Sequence, residues 1–454
     1  MSVASSQDSR TIVARATPPG RGGIAIVRVS GSLSRAIATG LTGVELEPRY
    51  ATLTHFRDED GEAIDSGIAL FFPAPHSFTG EDVLELQGHG GPVVCELLIE
   101  RVLALGAHLA EPGEFSRRAF LNDKIDLSQA EAIADLIDSG SRAAARAAQR
   151  SLDGRFSAVV MALNRKVTEL RVFVEAAIDF PDEGIDFLQA PELRGRLADV
   201  EAEFTQLERT VRQGRLLRDG IHVVLAGRPN VGKSSLLNAL VGYDAAIVTA
   251  IPGTTRDLVR EHIDIDGLPV HIVDTAGLRD SDALVEQEGI RRAYQQLAAA
   301  DHALIIVDAT EMHPPHAPES IIAALPDGLA FTIVRNKIDL TTEPAGSNAA
   351  DPRVIAVSAL TGSGIEALRQ HIKEQVGYEI GGEGTVTARQ RHVDRLRVAR
   401  EHFERGRAQL LAHQAGELMA EELLQVQNAL AEITGEFSSD DLLGEIFASF
   451  CIGK

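Results

Sequence analysis

Across residues 11–120, short apolar and β-branched runs (Ile24 to Val29, Ile68 to Phe72, Val83 to Leu86) are separated by Gly/Pro turns, with one apolar helical stretch from Val93 to Leu105. That pattern predicts a small α/β or α+β domain over residues 1–120. At Ser128-Gln129-Ala130-Glu131 a capping box opens an Ala-rich region. There the apolar period becomes helical and stays so to about Gln213. From Ile221 the period changes again: apolar runs at Ile221 to Ala226, at Val270 and Ile272, and at Phe331 to Val334 alternate with helical stretches. Alternating strands and helices predict a mostly parallel wound sheet over residues 216–379. Beyond residue 380 the pattern is helical once more, with Leu423, Val426, Leu430 and Ile433 three to four positions apart. The simplest organisation inserts the sheet domain into one helical domain whose halves are 121–215 and 380–454. Ala345 to Arg353 reads as a loop and Gly381 to Thr385 as a linker.

The first apolar run of the wound sheet leads into Gly227-Arg228-Pro229-Asn230-Val231-Gly232-Lys233-Ser234, followed by Ser235 and a helical stretch. This fits the GxxxxGK[ST] phosphate loop, in which backbone N–H groups surround phosphates, the lysine reaches the outer phosphates and the hydroxyl ligates Mg²⁺. Asp274-Thr275-Ala276-Gly277 then offers an aspartate for the Mg²⁺ shell and a glycine amide for a γ-phosphate. Asn336-Lys337-Ile338-Asp339 follows the next strand. A carboxylate there accepts both N–H groups on guanine's pyrimidine edge, which adenine does not present, and the lysine stem covers the ring. Ser358-Ala359-Leu360 ends a further strand and closes over the base. Four motifs in this order define a Ras-like P-loop GTPase domain.

Thr249-Ala250-Ile251-Pro252-Gly253-Thr254-Thr255-Arg256-Asp257 lies between the phosphate loop and Asp274 and reads as a switch carrying hydroxyls for Mg²⁺ and the γ-phosphate. Leu278 stands where many regulatory GTPases carry a water-orienting glutamine. An aliphatic side chain cannot do that work, so a polar group must come from elsewhere. The local candidates are Asp280, Asp282, Glu286 and Glu288.

The 454 residues, 44% of them hydrophobic, suffice for about three domains with real cores. Residues 1–10 lack an apolar export core, and no stretch approaches the ~18 apolar residues of a membrane span, so a cytoplasmic protein without membrane partners is expected. The two cysteines, Cys95 and Cys451, have no metal or disulfide-framework spacing. Cys451-Ile452-Gly453-Lys454 is a poor prenylation box. A net charge of −22 does not predict a nucleic-acid partner. Basic residues nevertheless cluster: seven against two acids over 141–171, and seven against three over 387–410. Those clusters read either as solvated helix faces or as RNA contacts.

From Thr11 to Lys454 the chain resembles the MnmE or TrmE family of tRNA-modification GTPases. The resemblance rests on Ala16-Thr17-Pro18-Pro19-Gly20-Arg21-Gly22-Gly23, Phe78-Thr79-Gly80-Glu81-Asp82, Leu84-Glu85-Leu86-Gln87-Gly88-His89-Gly90-Gly91, Gly113-Glu114-Phe115-Ser116, the Gly253 to Asp257 segment and the terminal Cys451 to Lys454. It implies an α/β and α multidomain fold: an N-terminal folate-binding-like and dimerisation domain, a helical domain and the inserted GTPase domain. It further implies a homodimeric, K⁺-stimulated GTPase that works with an FAD-containing partner, MnmG (GidA), in a heterotetramer. Together they install a carboxymethylaminomethyl or aminomethyl group at C5 of the wobble uridine of certain tRNAs. The one-carbon unit comes from 5-formyl- or 5,10-methylene-tetrahydrofolate.

Carried over by motif, K⁺ falls to Asn230, Thr249, Ile251 and Thr254, and Mg²⁺ to Ser234 and Thr255. Glu286 takes the catalytic role on the attacking water. Arg28, Glu85, Lys124 and Lys454 take the folate. Asn230 could instead brace the loop, and Cys451 reads equally as a reactive thiol or a packed small residue. The rival function is a GTP-switched RNA or ribosome-assembly protein with no one-carbon chemistry, which folate binding would separate from the first.

Overall fold

A computed structural model describes residues 10–179, 191–242, 260–274, 300–310, 319–323, 325–326, 328–379, 384–436 and 440–453. The chain divides into two compact units, one of Met1–Ala134, Leu152–Leu188 and Glu401–Lys454, the other of Asp135–Ser151 and Gln189–Arg400.

In the first unit, β1 (Ile12–Arg15), β2 (Gly22–Ser30), β3 (Thr52–Arg57), β4 (Ala63–Phe72), β5 (Val83–Gly90) and β6 (His108–Leu109) form a sheet in the order β3-β4-β5-β2-β1-β6. Neighbours are antiparallel except β1 and β6. The alternation that predicted strands also sorts their faces. Val27, Val29, Leu84 and Leu86 join a core with Ile37, Leu41, Leu98 and Val102 from helices Ser34–Thr42 and Pro92–Ala104. Positions between them form the other face, where Leu53 is 80% and Ile24 69% exposed. Arg28 and Glu85 are cross-strand partners there.

Helix Leu127–Asp138 starts where a capping box was expected, but two residues earlier. Asp126 Oδ1 accepts the Gln129 N–H at 2.8 Å and Gln129 Oε1 accepts the Asp126 N–H at 2.9 Å. The reciprocal box is therefore Asp126 with Gln129 rather than Ser128 with Glu131. Ser128 is buried inside the first turn and its hydroxyl donates to Ile433 O at 3.1 Å. Helix Arg155–Asp179 packs on Gly416–Thr434. Leu127, Ala130, Leu443, Ile446, Phe447 and Phe450 form a separate core cluster. The segment after it returns to the sheet: Gly453 has φ +96°, and a Cβ there would sit 2.2 Å from Arg15 O. Only glycine permits that approach.

In the second unit, β7 (Ile221–Gly227), β8 (Arg260–Ile265), β9 (Leu268–Asp274), β10 (His302–Asp308), β11 (Phe331–Asn336), β12 (Gly346–Ser347) and β13 (Val354–Ala356) form a sheet in the order β12-β13-β11-β10-β7-β9-β8. The central pairs β13-β11, β11-β10, β10-β7 and β7-β9 are parallel, and both edge strands are antiparallel. The short β12 falls inside the expected 345–353 loop. A core of Val223, Leu225, Leu236, Leu240, Ile306, Val334, Ile355, Ile365 and Leu368 joins the sheet to helices Lys233–Gly242 and Ile365–Val376. Strand order reverses around β7, so its carboxyl end is the switch point where such sheets bind ligands.

Away from that edge, Thr332 Oγ1 lies 2.8 Å from His302 Nε2 and 2.8 Å from His371 Nε2, all three residues buried. Burial, reinforced by His371, pushes the His302 imidazole down to about 4. Burial also lowers His371, against the pull of Glu374. A depressed histidine favours the folded state fully above its unfolded value near 6.5, and the benefit is lost as pH falls toward 4. Denaturant unfolding should therefore lose about 2 kcal/mol between pH 7 and pH 5 from His302. His302→Gln should flatten that slope, and an unchanged slope in the variant would refute the assignment.

Candidate functional site

The turn after β7 carries two residues in the left-handed region, Asn230 at φ +64° and Gly232 at φ +92°. Such conformations turn successive N–H groups toward one concavity, and helix Lys233–Gly242 follows with its own unpaired N–H groups. Lys233 is 7% exposed, its ammonium donating to Gly227 O at 2.9 Å and Arg228 O at 3.1 Å. Ser234 and Ser235 are exposed at the first helical turn, and Val231 is buried.

The base-side segment meets this loop through Asn336, which is 2% exposed. Its Nδ2 donates to Val231 O at 3.0 Å, and its Oδ1 accepts the Ala359 N–H at 3.0 Å. One side-chain amide thus joins the phosphate loop, the Asn336-Asp339 segment and the Ser358-Leu360 segment. It also explains Gly232: a Cβ there would lie 2.3 Å from Asn336 Nδ2. Lys337, itself at φ +70°, reaches Asn230 O at 2.8 Å and Asp308 Oδ2 at 2.6 Å. Burial raises the Asp308 carboxyl, but hydrogen bonds from Lys337 and Thr310 outweigh it and hold the group below its usual range. Asp308 ends β10 at the carboxyl edge of the sheet, a position that could have marked it in the sequence; it was not singled out. Ile338 is buried, Asp339 is exposed with Oδ1 accepting from the buried Ser358 hydroxyl at 2.5 Å, and Leu360 is 85% exposed.

Other expected residues fall elsewhere. The backbone of Asp274 ends β9, paired with Leu225 of β7, so it reaches the same edge as the loop. Thr249 to Asp257, Thr275, Ala276, Gly277, Leu278, Glu286 and Lys454 lie outside the described residues, and so does the Asp274 side chain.

In the first unit, Arg28 Nε and Nη2 converge on Glu85 Oε1 at 3.0 and 2.9 Å. Among the described residues no donor reaches Glu85 Oε2. Phe78 and Phe115 flank the guanidinium, with ring centroids 5.6 and 5.8 Å away. Lys124 Nζ donates to Pro75 O at 3.0 Å, on the segment that also carries Phe78. The third family-like segment is organised by Asp65, which takes the backbone and ring N–H of His89 at 2.7 Å each. Cys451 is exposed, and its carbonyl accepts the Gly113 N–H at 3.3 Å.

Several residues of the basic clusters are paired within the protein. Arg150 donates to Thr385 O, Arg171 pairs with Glu175, Arg389 shares Asp135 with Arg218 from outside the clusters, and Arg400 meets Glu201. Arg142 and Arg146 are exposed on one helix face.

A phosphate loop at the switch point of a wound parallel sheet, tied by an asparagine to an Asn-Lys-x-Asp segment, defines a P-loop GTPase. The family model described as the MnmE helical domain matches residues 127–451, and that of the GTP-binding protein TrmE N-terminus matches residues 11–124. The chain belongs to the MnmE (TrmE) family, and is accordingly a tRNA-modification GTPase that uses a guanine nucleotide with Mg²⁺. Similar solved structures include an Aquifex aeolicus Era variant bound to GDP·AlF₄⁻, at 26% identity over 40% of this chain and 67% of that one, with a TM-score of 0.26. The FeoB G domain of Methanococcus jannaschii is 25% identical over 35% of this chain and 98% of that one, TM-score 0.26. That of the T. maritima FeoB iron transporter is 26% identical over 34% and 98%, TM-score 0.26. Among the described residues no helix is long and apolar enough to cross a membrane.

The asparagine tether has a measurable consequence. Asn336→Ala removes a donor and an acceptor from buried partners, each worth about 1–3 kcal/mol, so GTP affinity should fall at least roughly tenfold. Fluorescent-nucleotide titration reads this, and affinity within twofold of wild type would show that the loop is held by other means.

Proposed function

We propose that this chain couples GTP hydrolysis to formation of the carboxymethylaminomethyl or aminomethyl group at C5 of the wobble uridine. On this reading it acts in the cytoplasm as a homodimer, in a heterotetramer with an FAD-containing partner, drawing one carbon from a tetrahydrofolate. The observation that carries the reading is that one chain holds both a guanine-type nucleotide site built on Asn336 and an Arg28–Glu85 pair with a spare carboxylate oxygen. Residues 1–120 form the folate-binding and dimerisation domain, 216–379 the GTPase domain, and 121–215 with 380–454 the helical domain.

The chain's own residues divide the work. With GTP bound, the Lys233 ammonium exchanges its carbonyl partners for β- and γ-phosphate oxygens, and the loop N–H groups from Asn230 to Ser235 surround the phosphates. The hydroxyls of Ser234 and Thr255 would hold Mg²⁺, and Asn230 with Thr249, Ile251 and Thr254 would hold K⁺, two cations that would supply positive charge beside the phosphate oxygens. The left-handed backbone of Asn230 in the phosphate loop and the exposure of that residue support this role. Ala250, Pro252 and Gly253 shape the switch, and Asp274 through Gly277 faces the γ-phosphate. Glu286 orients the attacking water, the function Leu278 cannot perform. Asp339, braced by Ser358, accepts guanine N1–H and the 2-amino group, while Lys337 covers the ring.

At the second site Glu85 Oε2 accepts from a pteridine's amino-pyrimidinone edge, and Arg28, Lys124 and Lys454 face the polar parts of the folate. The convergence of both Arg28 donors on Oε1 supports this, since it leaves Oε2 without a donor among the described residues.

GTP turnover should rise about tenfold or more when K⁺ replaces Na⁺, and Asn230→Ala should abolish the gain. Equal rates in the two salts would remove the ion site. The decisive test is mass spectrometry of tRNA from cells lacking the protein, with loss of the C5 wobble modification expected. Intact modification, with no affinity of the purified protein for reduced folates, would favour a GTP-switched RNA-binding protein instead.

A further inference from the structure

The segment Pro73 to Asp82 crosses beside Arg28, and its anchorage is unusual. Arg118 is 3% exposed. Its Nη1 reaches both carboxylate oxygens of Glu81, at 3.1 and 3.0 Å, and its Nη2 reaches Glu114 Oε1 at 2.7 Å. Glu81 Oε2 also accepts the Ser30 hydroxyl at 2.7 Å, and Ser30 lies 2.7 Å from Thr79 Oγ1. Asn122 Nδ2 donates to Thr79 O at 2.7 Å, which ties the segment a second time to the end of helix Glu114–Leu121. The guanidinium is buried, the Glu81 and Glu114 side chains are 23% and 15% exposed, and Arg118 Nε has no hydrogen-bond partner among the described residues, so the two carboxylates must compensate for the burial of the charge. A fold that needed only a turn here would not require it.

What this anchorage holds in place is an aromatic ring. Phe78 is 37% exposed although the next residue, Thr79, is fully buried. Its ring lies 5.6 Å from the Arg28 guanidinium, beside the Glu85 carboxylate. An exposed flat ring next to a carboxylate with a spare oxygen matches a planar heterocycle that donates through one edge and stacks through one face.

Resting on the folate reading of Arg28 and Glu85, we infer that Phe78 is the stacking wall for the pteridine ring, and that Arg118, which does not touch the ligand, is the positioning residue that holds this wall through Glu81 and Glu114. Lysine cannot replace the arginine, because a single ammonium does not reproduce a fork that meets two carboxylates at once.

The 454-residue chain contains no tryptophan, so Phe78→Trp places one reporter at the wall. Its emission should be blue-shifted relative to free tryptophan and quenched on titration with 5-formyl-tetrahydrofolate. Adding Arg118→Lys should shift the ligand-free emission to the red and raise acrylamide quenching, with GTP hydrolysis retained. In the natural background, Phe78→Ala and Arg118→Lys should each weaken 5-formyl-tetrahydrofolate binding about tenfold or more by calorimetry, the first without lowering the melting temperature. Glu81→Gln, which keeps the side-chain volume, should reproduce the emission shift of Arg118→Lys in part.

An emission spectrum unmoved by Arg118→Lys and by Glu81→Gln would overturn the positioning role. Unchanged folate affinity in Phe78→Ala would overturn the wall. If wild-type protein bound no reduced folate while the emission shifts appeared, the ligand assigned to Arg28 and Glu85 would be wrong and the anchorage would stand.

Discussion

The carboxamide of Asn336 has to satisfy Val231 O and the Ala359 N–H simultaneously, and much of the nucleotide edge is shaped around that requirement. The group is buried, so leaving either end unmet would cost about 1–3 kcal/mol. Meeting both fixes three separate chain segments at one depth above the parallel sheet. It also forces glycine at position 232, since no side chain can share the space with Nδ2. Lys337 adds a second link by joining Asn230 O to Asp308. The phosphate side and the base side are therefore one rigid object, set before any ligand arrives. Affinity gains from that preorganisation because ordering has already been done by folding.

The N-terminal sheet follows a different logic. Its helix-covered face is continuous and apolar, so register is strongly specified from below. That frees the opposite face to carry polar groups at chosen heights, and Arg28 and Glu85 fall opposite each other on adjacent strands as a direct result. The Pro73 to Asp82 segment then reaches over the sheet margin and is tied down through Arg118 rather than through apolar burial.

Much of this was legible in the chain, for identifiable reasons. Strand periodicity placed β2, β4, β5, β7 and β11 because each is buried on at least one face, and the phosphate loop announced itself through spacing. The capping box was displaced by two residues, since serine and aspartate are equally good caps and only the burial of Ser128 against Ile433 decides between them. The role of Asn336 as a tether was not visible, because it depends on a carbonyl from a distant strand-loop junction. Nor were Asp308 and Arg118, whose importance comes from partners far away in sequence. Local counting of basic residues likewise cannot see that Asp135 draws in both Arg218 and Arg389.

The return of Gly453 to Arg15 O bears on how the protein is made. The first sheet leaves the ribosome early, yet Phe120 and Leu127 meet Leu443 and Phe450 only after the whole intervening stretch has been translated. Closing so long a loop adds little entropy per extra residue, but it postpones the contact. The interposed unit has its own core and can mature during that interval. Nascent chains therefore spend most of their synthesis with the apolar residues around Phe120 and Leu127 still waiting for the helix that covers them.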